Sequence, residues 1–333
     1  MKEKITIIGG GLTGLSLAIG LRKNGVPVHL HEAGQYPRHR VCGEFISGIS
    51  DATLNNLGIE EHLSDSARHT SVSWFAANEQ IRDTTLPSPA LAISRYKLDD
   101  RLQTHSLELG ATIETSSRKQ VKPNQAGFIK ASGRLPARGK WIGLKAHIRD
   151  ISTTAHLEMH SGPNGYLGVT PVEDGWHNVC GLFKVDRTIS EQHEKLLPAY
   201  LRKNGNTALA DRVESASWRV DSFSAIAGFD LGRQAPTPGI LSLGDSHAII
   251  PPFTGNGMTM AFQSAEIALP HLIDFASGEK TWKTAYNDIE ASLKTRFRKR
   301  LSTASFLHPL LFRKHIASLL KITPISPVLG LIR

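Results

Sequence analysis

The sequence predicts an α/β protein: a parallel nucleotide-binding sheet, a second domain of antiparallel strands, and C-terminal helices. Three observations carry this. Residues 4–32 run from a β-branched apolar stretch (KITII) through glycines into a helix-period segment (LSLAIGLRKNG) and a second apolar run (VPVHLHE), the pattern of a βαβ unit with buried parallel strands. Between residues 140 and 185 four strand-like runs follow one another at antiparallel spacing. From Gly257 onward helical periodicity dominates, with Arg and Lys in excess toward the end.

The first helix has Leu15, Ala18, Ile19 and Leu21 as apolar positions and stops at Asn24-Gly25. Residues 46–63 predict a helix with a loop, and SVSWFAA (71–77) a half-buried strand. A helix over 94–109 carries Leu98, Leu102, Leu107 and Leu109, with Ser94 as N-cap and Gly110 as its stop. Residues 111–140 are basic and poor in apolar residues, with room for one strand in GFIKASG. The second sheet is expected from KWIGLKAHI (140–148), TTAHLEMHS (153–161), YLGVTPV (166–172) and WHNVCGLFKV (176–185). SEQHEKLLPAYLRKNG reads as a helix, and polar turns then lead to GILSLGDSHA (239–248), an apolar strand meeting a glycine and an acid. A long helix spans Gly257 to Phe275. The expected domains are 1–64 with 90–139 and 230–285 (nucleotide-binding), 65–89 with 140–229 (the second domain), and 286–333 (helical).

At 333 residues and 40% hydrophobic content the chain can bury a sizeable core. No run of eighteen apolar residues occurs and the N-terminus enters a strand without a signal-peptide pattern, so a cytoplasmic location is expected. Cys42 and Cys180 show neither C-x-x-C nor Cys/His ligand spacing, which argues against a zinc site or a disulfide framework. The balance of 39 Lys+Arg against 30 Asp+Glu gives +9, suited to an anionic cofactor or an acidic membrane surface. The basic residues are dispersed except near the C-terminus and no nucleic-acid motif accompanies them, so no nucleic-acid partner is expected. Near that end Arg296, Arg298, Lys299, Arg300, Arg313 and Lys314 mix with Phe, Leu and Ile at helical spacing. Such a stretch can rest in a membrane interface or simply cap the second domain.

Gly9, Gly11 and Gly14 form a G-x-G-x-x-G motif placed between a strand and a helix. The first glycine permits the tight turn, the second lets the backbone approach a diphosphate, and the third lets helix pack on strand. The diphosphate would rest on amide N–H groups at the helix N-terminus, and Glu32, ending the next strand, would accept hydrogen bonds from an adenosine ribose. An ADP moiety is thereby expected, without a choice between FAD and NAD.

Four further segments, YPRHRVCGEFIS, AISRYKLDDRL, LSLGDSHAIIPPFTGNGMTMAFQSAEIA and GYLGVTPVEDGWHNVCGL, resemble elements of the geranylgeranyl reductase family of flavoproteins. That family is itself similar to the para-hydroxybenzoate hydroxylase and flavin-halogenase group, and the resemblance spans residue 4 to about residue 290. It implies FAD in a Rossmann-like domain of the GR2/PHBH type. Cys42-Gly43 would lie beside the isoalloxazine, Arg95 would reach phosphate or ribityl oxygens, and Asp245 would bind the ribityl chain. Pro252, Gly255 and Gly257 match a loop leading into a helix whose amides face the flavin, with Thr254 and Asn256 as added donors. Thr13, Arg40 and Met258 complete the expected cofactor contacts.

For catalysis the candidates are Cys42, Tyr166 and Lys145. Tyr166 would face the flavin across a hydrophobic pocket, and Lys145, with His147 two residues on, would offer a cation if its strand face points inward. Two departures stand out. Glu44 occupies a position where the family often has Gly, and Ser132-Gly133-Arg134 stands where Asp-Gly-Arg is common, which raises the question of how firmly the flavin is held. With no second dinucleotide fingerprint, NADH or NADPH is expected as a transient reductant. The implied activity is reduction of a double bond in a hydrophobic prenyl or polyketide-like substrate. Oxygenation through a C4a-hydroperoxide and a non-catalytic flavin-binding role are the alternatives.

Overall fold

The computed structural model describes residues 2–76, 78–134, 139–153, 156–234 and 237–312. Arg313 and Lys314, expected in the basic C-terminal stretch, lie outside them. β1 (Ile5–Ile8), α1 (Leu12–Lys23) and β2 (Val28–His31) form the predicted βαβ unit, with Ile5 opposite Val28 and Ile8 opposite His31 in parallel register. β6 (Thr112–Glu114), β7 (Phe128–Lys130) and β14 (Leu241–Ser242) complete a five-stranded parallel sheet in the order β14-β7-β1-β2-β6. α1 is buried without interruption from Leu12 to Leu21, because it packs under α3 (Arg95–Glu108) and α6 (Gly257–Ser277) as well as on the sheet. Such a helix is apolar all round rather than striped.

The second sheet has eight strands in the order β12-β8-β11-β10-β9-β4-β5-β3. Its centre is the predicted run: β8 (Trp141–Arg149), β9 (Leu157–Gly162), β10 (Gly165–Pro171) and β11 (His177–Lys184). β3 (Phe45–Ile46), β4 (Ala67–Ala76), β5 (Glu79–Ala92) and β12 (Ser217–Ala227) extend it to either side. All neighbours are antiparallel except β4 and β9, which run parallel. The polar turns expected after residue 205 are instead α5 (Thr207–Ser215) followed by β12. One face of this sheet, with Leu144, Ala146, Leu167, Val169 and Val179, packs on α5 and on α4 (Leu196–Lys203). The other face carries Gly143, Lys145 and His147 of β8 level with Leu182, Cys180 and Asn178 of β11, and with Tyr166, Gly168 and Thr170 of β10.

Shorter pieces close the structure: α2 (Asp51–Leu57), capped by the Ser50 hydroxyl, and a ribbon of β13 (Gly232–Arg233) with β15 (Ala248–Ile249). The long α7 (Trp282–Leu307) buries Ala285, Ile289, Leu293, Phe297 and Ala304, so the apolar side of the basic stretch faces the core while Lys294, Arg296, Arg298 and Lys299 are exposed. Arg300 is buried and donates to Gln263 Oε1 at 2.8 Å. Among the described residues no helix is long and apolar enough to cross a membrane.

Candidate active site

The glycine loop shows where ligand space begins. A Cβ on Gly9, whose φ is 113°, would lie 2.3 Å from the Ala131 carbonyl oxygen, and one on Gly14 would lie 2.0 Å from the Gly9 oxygen. Both glycines are therefore required by packing between loop, helix and strand. A Cβ on Gly11 would meet nothing closer than Arg95 Nη2 at 3.7 Å, so the N-terminus of α1 opens onto free space at that point. Thr13 is turned elsewhere. Its hydroxyl donates to the Ala261 carbonyl of α6, which leaves its backbone N–H as the donor it can offer a diphosphate.

Glu32 is buried at the end of β2, where its carboxylate accepts from Gly10 N–H at 2.7 Å and Gly34 N–H at 2.9 Å and is paired with Arg38. Burial works against its charge, but Arg40, the two N–H groups and Arg38 outweigh it and hold the carboxyl below its ordinary range. Arg40 lies against the same loop, 3.3 Å from the Gly10 oxygen, while its Nε donates to Asp99 at 2.9 Å. Asp99 is fully buried and also receives a bidentate pair from Arg95, both contacts at 2.7 Å. Arg95 is thus paired with Asp99 and at the same time enclosed: its guanidinium reaches the Cys42 thiol and lies toward Asp245.

A cavity of about 1390 Å³, its open mouth included, lies between the parallel sheet's C-terminal end and the second sheet. It brings together Cys42, Gly43, Tyr166, Asp245, Pro252, Gly255, Gly257 and Met258 of the expected residues, and adds Cys180, Arg134 and Phe253, which sequence reasoning did not assign to it. Cys180 was accessible in principle, since strand alternation puts it level with Gly168, two residues from Tyr166. Burial pushes the Cys42 thiol up, Arg95 opposing, so that it is neutral. Asp245 is open to the cavity yet deep among protein atoms; this enclosure raises its carboxyl against the pull of Arg95 and Arg134. At the head of α6 a Cβ on Gly257 would meet nothing, and the Asn256 Oδ1 is buried without a partner among the described residues. Asn256 Nδ2 instead donates to the Thr254 carbonyl. Tyr166 is buried and its hydroxyl accepts from Phe253 N–H at 3.2 Å, tying the substrate-side strand to the loop before α6.

Lys145 corrects the expectation made for it. Its strand face does point inward and the residue has no exposure, but it does not line the cavity. Its ammonium is committed to His39 Nδ1 at 3.1 Å and Glu44 Oε1 at 3.4 Å, one residue layer behind the wall formed by Cys42 and Cys180. The segment from His39 to Glu44 covers it. Gly133 and Arg134 stand near Asp245: Ser246 Oγ donates to the Gly133 carbonyl at 2.8 Å, and Arg134 is a cavity residue, so this altered element still meets the site.

Comparison with known proteins is consistent with this geometry. The family described as pyridine nucleotide-disulphide oxidoreductase matches residues 1–79. The chain is 23% identical to menaquinone reductase of Mycobacterium tuberculosis (strain ATCC 25618 / H37Rv) over 334 residues, covering 85% of this chain and 79% of that one. In fold it is similar to Pseudomonas aeruginosa PqsL (TM-score 0.74, 14% identity, 96% of this chain and 100% of that one). It is likewise similar to a geranylgeranyl bacteriochlorophyll reductase-like protein of Thermoplasma acidophilum (TM-score 0.74, 17% identity, 99% and 96%). Fold, glycine cradle and relatives define one class, and the chain is an enzyme of the FAD-dependent oxidoreductase type.

Proposed function

We propose that this enzyme uses FAD, reduced transiently by NADH or NADPH, to reduce a double bond of a hydrophobic, prenyl-bearing substrate. The observation that carries the reading is the cavity, whose lining is mostly apolar and which runs from Asp245 and the head of α6 to Tyr166, Leu182 and Trp74 on the second sheet. The name of the M. tuberculosis relative joins reduction to a prenylated quinone, the substrate class such a cavity suits.

The residues fit FAD. Gly11 and the first amides of α1 would take its diphosphate, Glu32 its adenosine ribose, and Asp245 with Arg95 its ribityl side. The open N-terminus of α6 at Gly257, with the unpartnered Asn256 Oδ1, would border its ring. When bound, the flavin supplies two-electron chemistry that side chains lack. Around it, Cys42 and Cys180 form a neutral, enclosed wall, Tyr166 anchors the loop before α6, and the apolar sheet face excludes water from the reacting carbon atoms.

The test is turnover of a prenylated quinone with NADPH under strict exclusion of oxygen, with products resolved by mass. A product two mass units heavier, formed at the same rate without oxygen, is expected. The likeness to PqsL favours an oxygenase as second reading; turnover lost without oxygen, with a product sixteen units heavier in air, would establish that reading instead.

A further inference from the structure

Behind the Cys42–Cys180 wall lies a set of charged side chains that cofactor binding leaves unused. Glu44 follows Val41, Cys42 and Gly43, which line the cavity, but its side chain turns away from it. Its backbone is left-handed, with φ of 53°, a conformation that glycine adopts freely and glutamate only at a cost. The fully buried carboxylate accepts from Arg95 N–H at 3.0 Å and lies 2.6 Å from His147 Nε2 and 3.4 Å from Lys145 Nζ. A strained backbone thus holds an acid against two basic groups in the interior.

The proton positions follow from what each partner is able to do. Lysine has only donors, so His39 Nδ1 is the acceptor of the Lys145 contact, and the His39 proton sits on Nε2. Carboxylate only accepts, so His147 Nε2 carries the proton of the Glu44 contact and His147 Nδ1 is left bare. That nitrogen is buried and has no partner among the described residues. His39 Nε2 is likewise unpartnered, and the carboxylate of Asp221, 63% exposed, lies 3.9 Å from it toward solvent. His147 is faced by Glu44 from the covering segment, Lys145 on its own strand, His39 edge-on at 5.0 Å, and Arg219, its register partner on β12.

We infer that His147, held between Glu44 and Lys145, is a proton-binding site that fills when negative charge enters the cavity. It rests on the flavin reading in one respect, that the entering charge is that of bound, reduced FAD. Bound FAD would supply the two-electron chemistry and, once reduced, negative charge beside this wall. A proton taken from water then bonds to His147 Nδ1 and makes an imidazolium whose Nε2–H remains on Glu44. This stores, one residue layer from the cavity, the proton that the second carbon of a reduced double bond requires.

The experiment reduces the FAD-loaded protein anaerobically with dithionite in weakly buffered solution at neutral pH, with an indicator dye to count protons and free FAD titrated alongside as reference. After correction for the protons that dithionite releases on oxidation, the unaltered protein is expected to take up about one proton per flavin more than His147→Gln and Glu44→Gln. Glu44→Gly, which suits the left-handed backbone, keeps the comparison open if Glu44→Gln fails to fold, and is expected to show the lower count. Equal counts in all folded variants would overturn the proton site alone. Absence of FAD binding by the unaltered protein, read from its visible spectrum before reduction, would overturn the flavin reading and this coupling with it.

Discussion

Asp99 joins the glycine loop to the cavity, since Arg40 and Arg95 both end on its buried carboxylate. Asp99→Asn leaves the enclosed Arg95 guanidinium without its counter-charge, and a loss of about 3–5 kcal/mol in urea unfolding is expected. Asp245→Ala, by contrast, removes a group open to the cavity; fold stability should hold within about 0.5 kcal/mol while FAD affinity, measured by fluorescence quenching, falls roughly 10- to 100-fold. At this scale the glycines were legible in the sequence because their spacing reports a backbone demand between a strand and a helix, whereas Asp245 was expected only from the resemblance carried by LSLGDSHAIIPPFTGNG. His39 and the inward turn of Glu44 were not legible. Their neighbours Lys145 and His147 come from β8, about a hundred residues away in the chain, and no local pattern announces such a meeting.

Among the elements, β5 and β12 escaped the sequence reading for a shared reason. Between Ala90 and Thr85 the β5 ladder to β4 breaks, and Pro87 and Pro89 fall inside that break, where no donor is needed. β12 is an edge strand with its own irregularity between Arg219 and Ser224, so polar residues interrupt its alternation. The long basic stretch at the C-terminus was legible as an amphipathic helix, and α7 shows that its apolar side belongs to the core. We propose that its exposed cations, with Phe306 at 72% exposure on the same helix, bind anionic lipid. Co-sedimentation with anionic vesicles is expected for the full chain and should be lost in a Lys294→Glu, Arg298→Glu, Lys299→Glu variant. Equal sedimentation of the two proteins would mean that these charges are merely solvated.

For the molecule as a whole, acid is the weak side. Burial pulls His308 down to about 4, and burial together with Lys145 and His147 does the same to His39. Each native histidine stays neutral through a range in which the unfolded chain, at 6.5, takes up a proton. Stability is therefore fully present above about pH 6.5 and falls as pH drops toward 4, by up to about 1.4 kcal/mol per pH unit per histidine. Thermal unfolding between pH 7.5 and 4.5 should show the decline. In His308→Phe, which can fill the space among Trp141, Tyr166, Phe253 and Phe312, the decline should be shallower.

The one parallel pairing within the second sheet, β4 beside β9, has a consequence for how the protein is made. On a ribosome, β4 and β5 emerge as a hairpin long before β9, so the edge of β4 that bears Val72, Trp74 and Phe75 waits without its neighbour for some eighty residues of synthesis. An apolar strand edge in that state pairs readily with other nascent chains. Slower growth and chaperone supply during expression should therefore raise the soluble yield more than any change made to the finished surface.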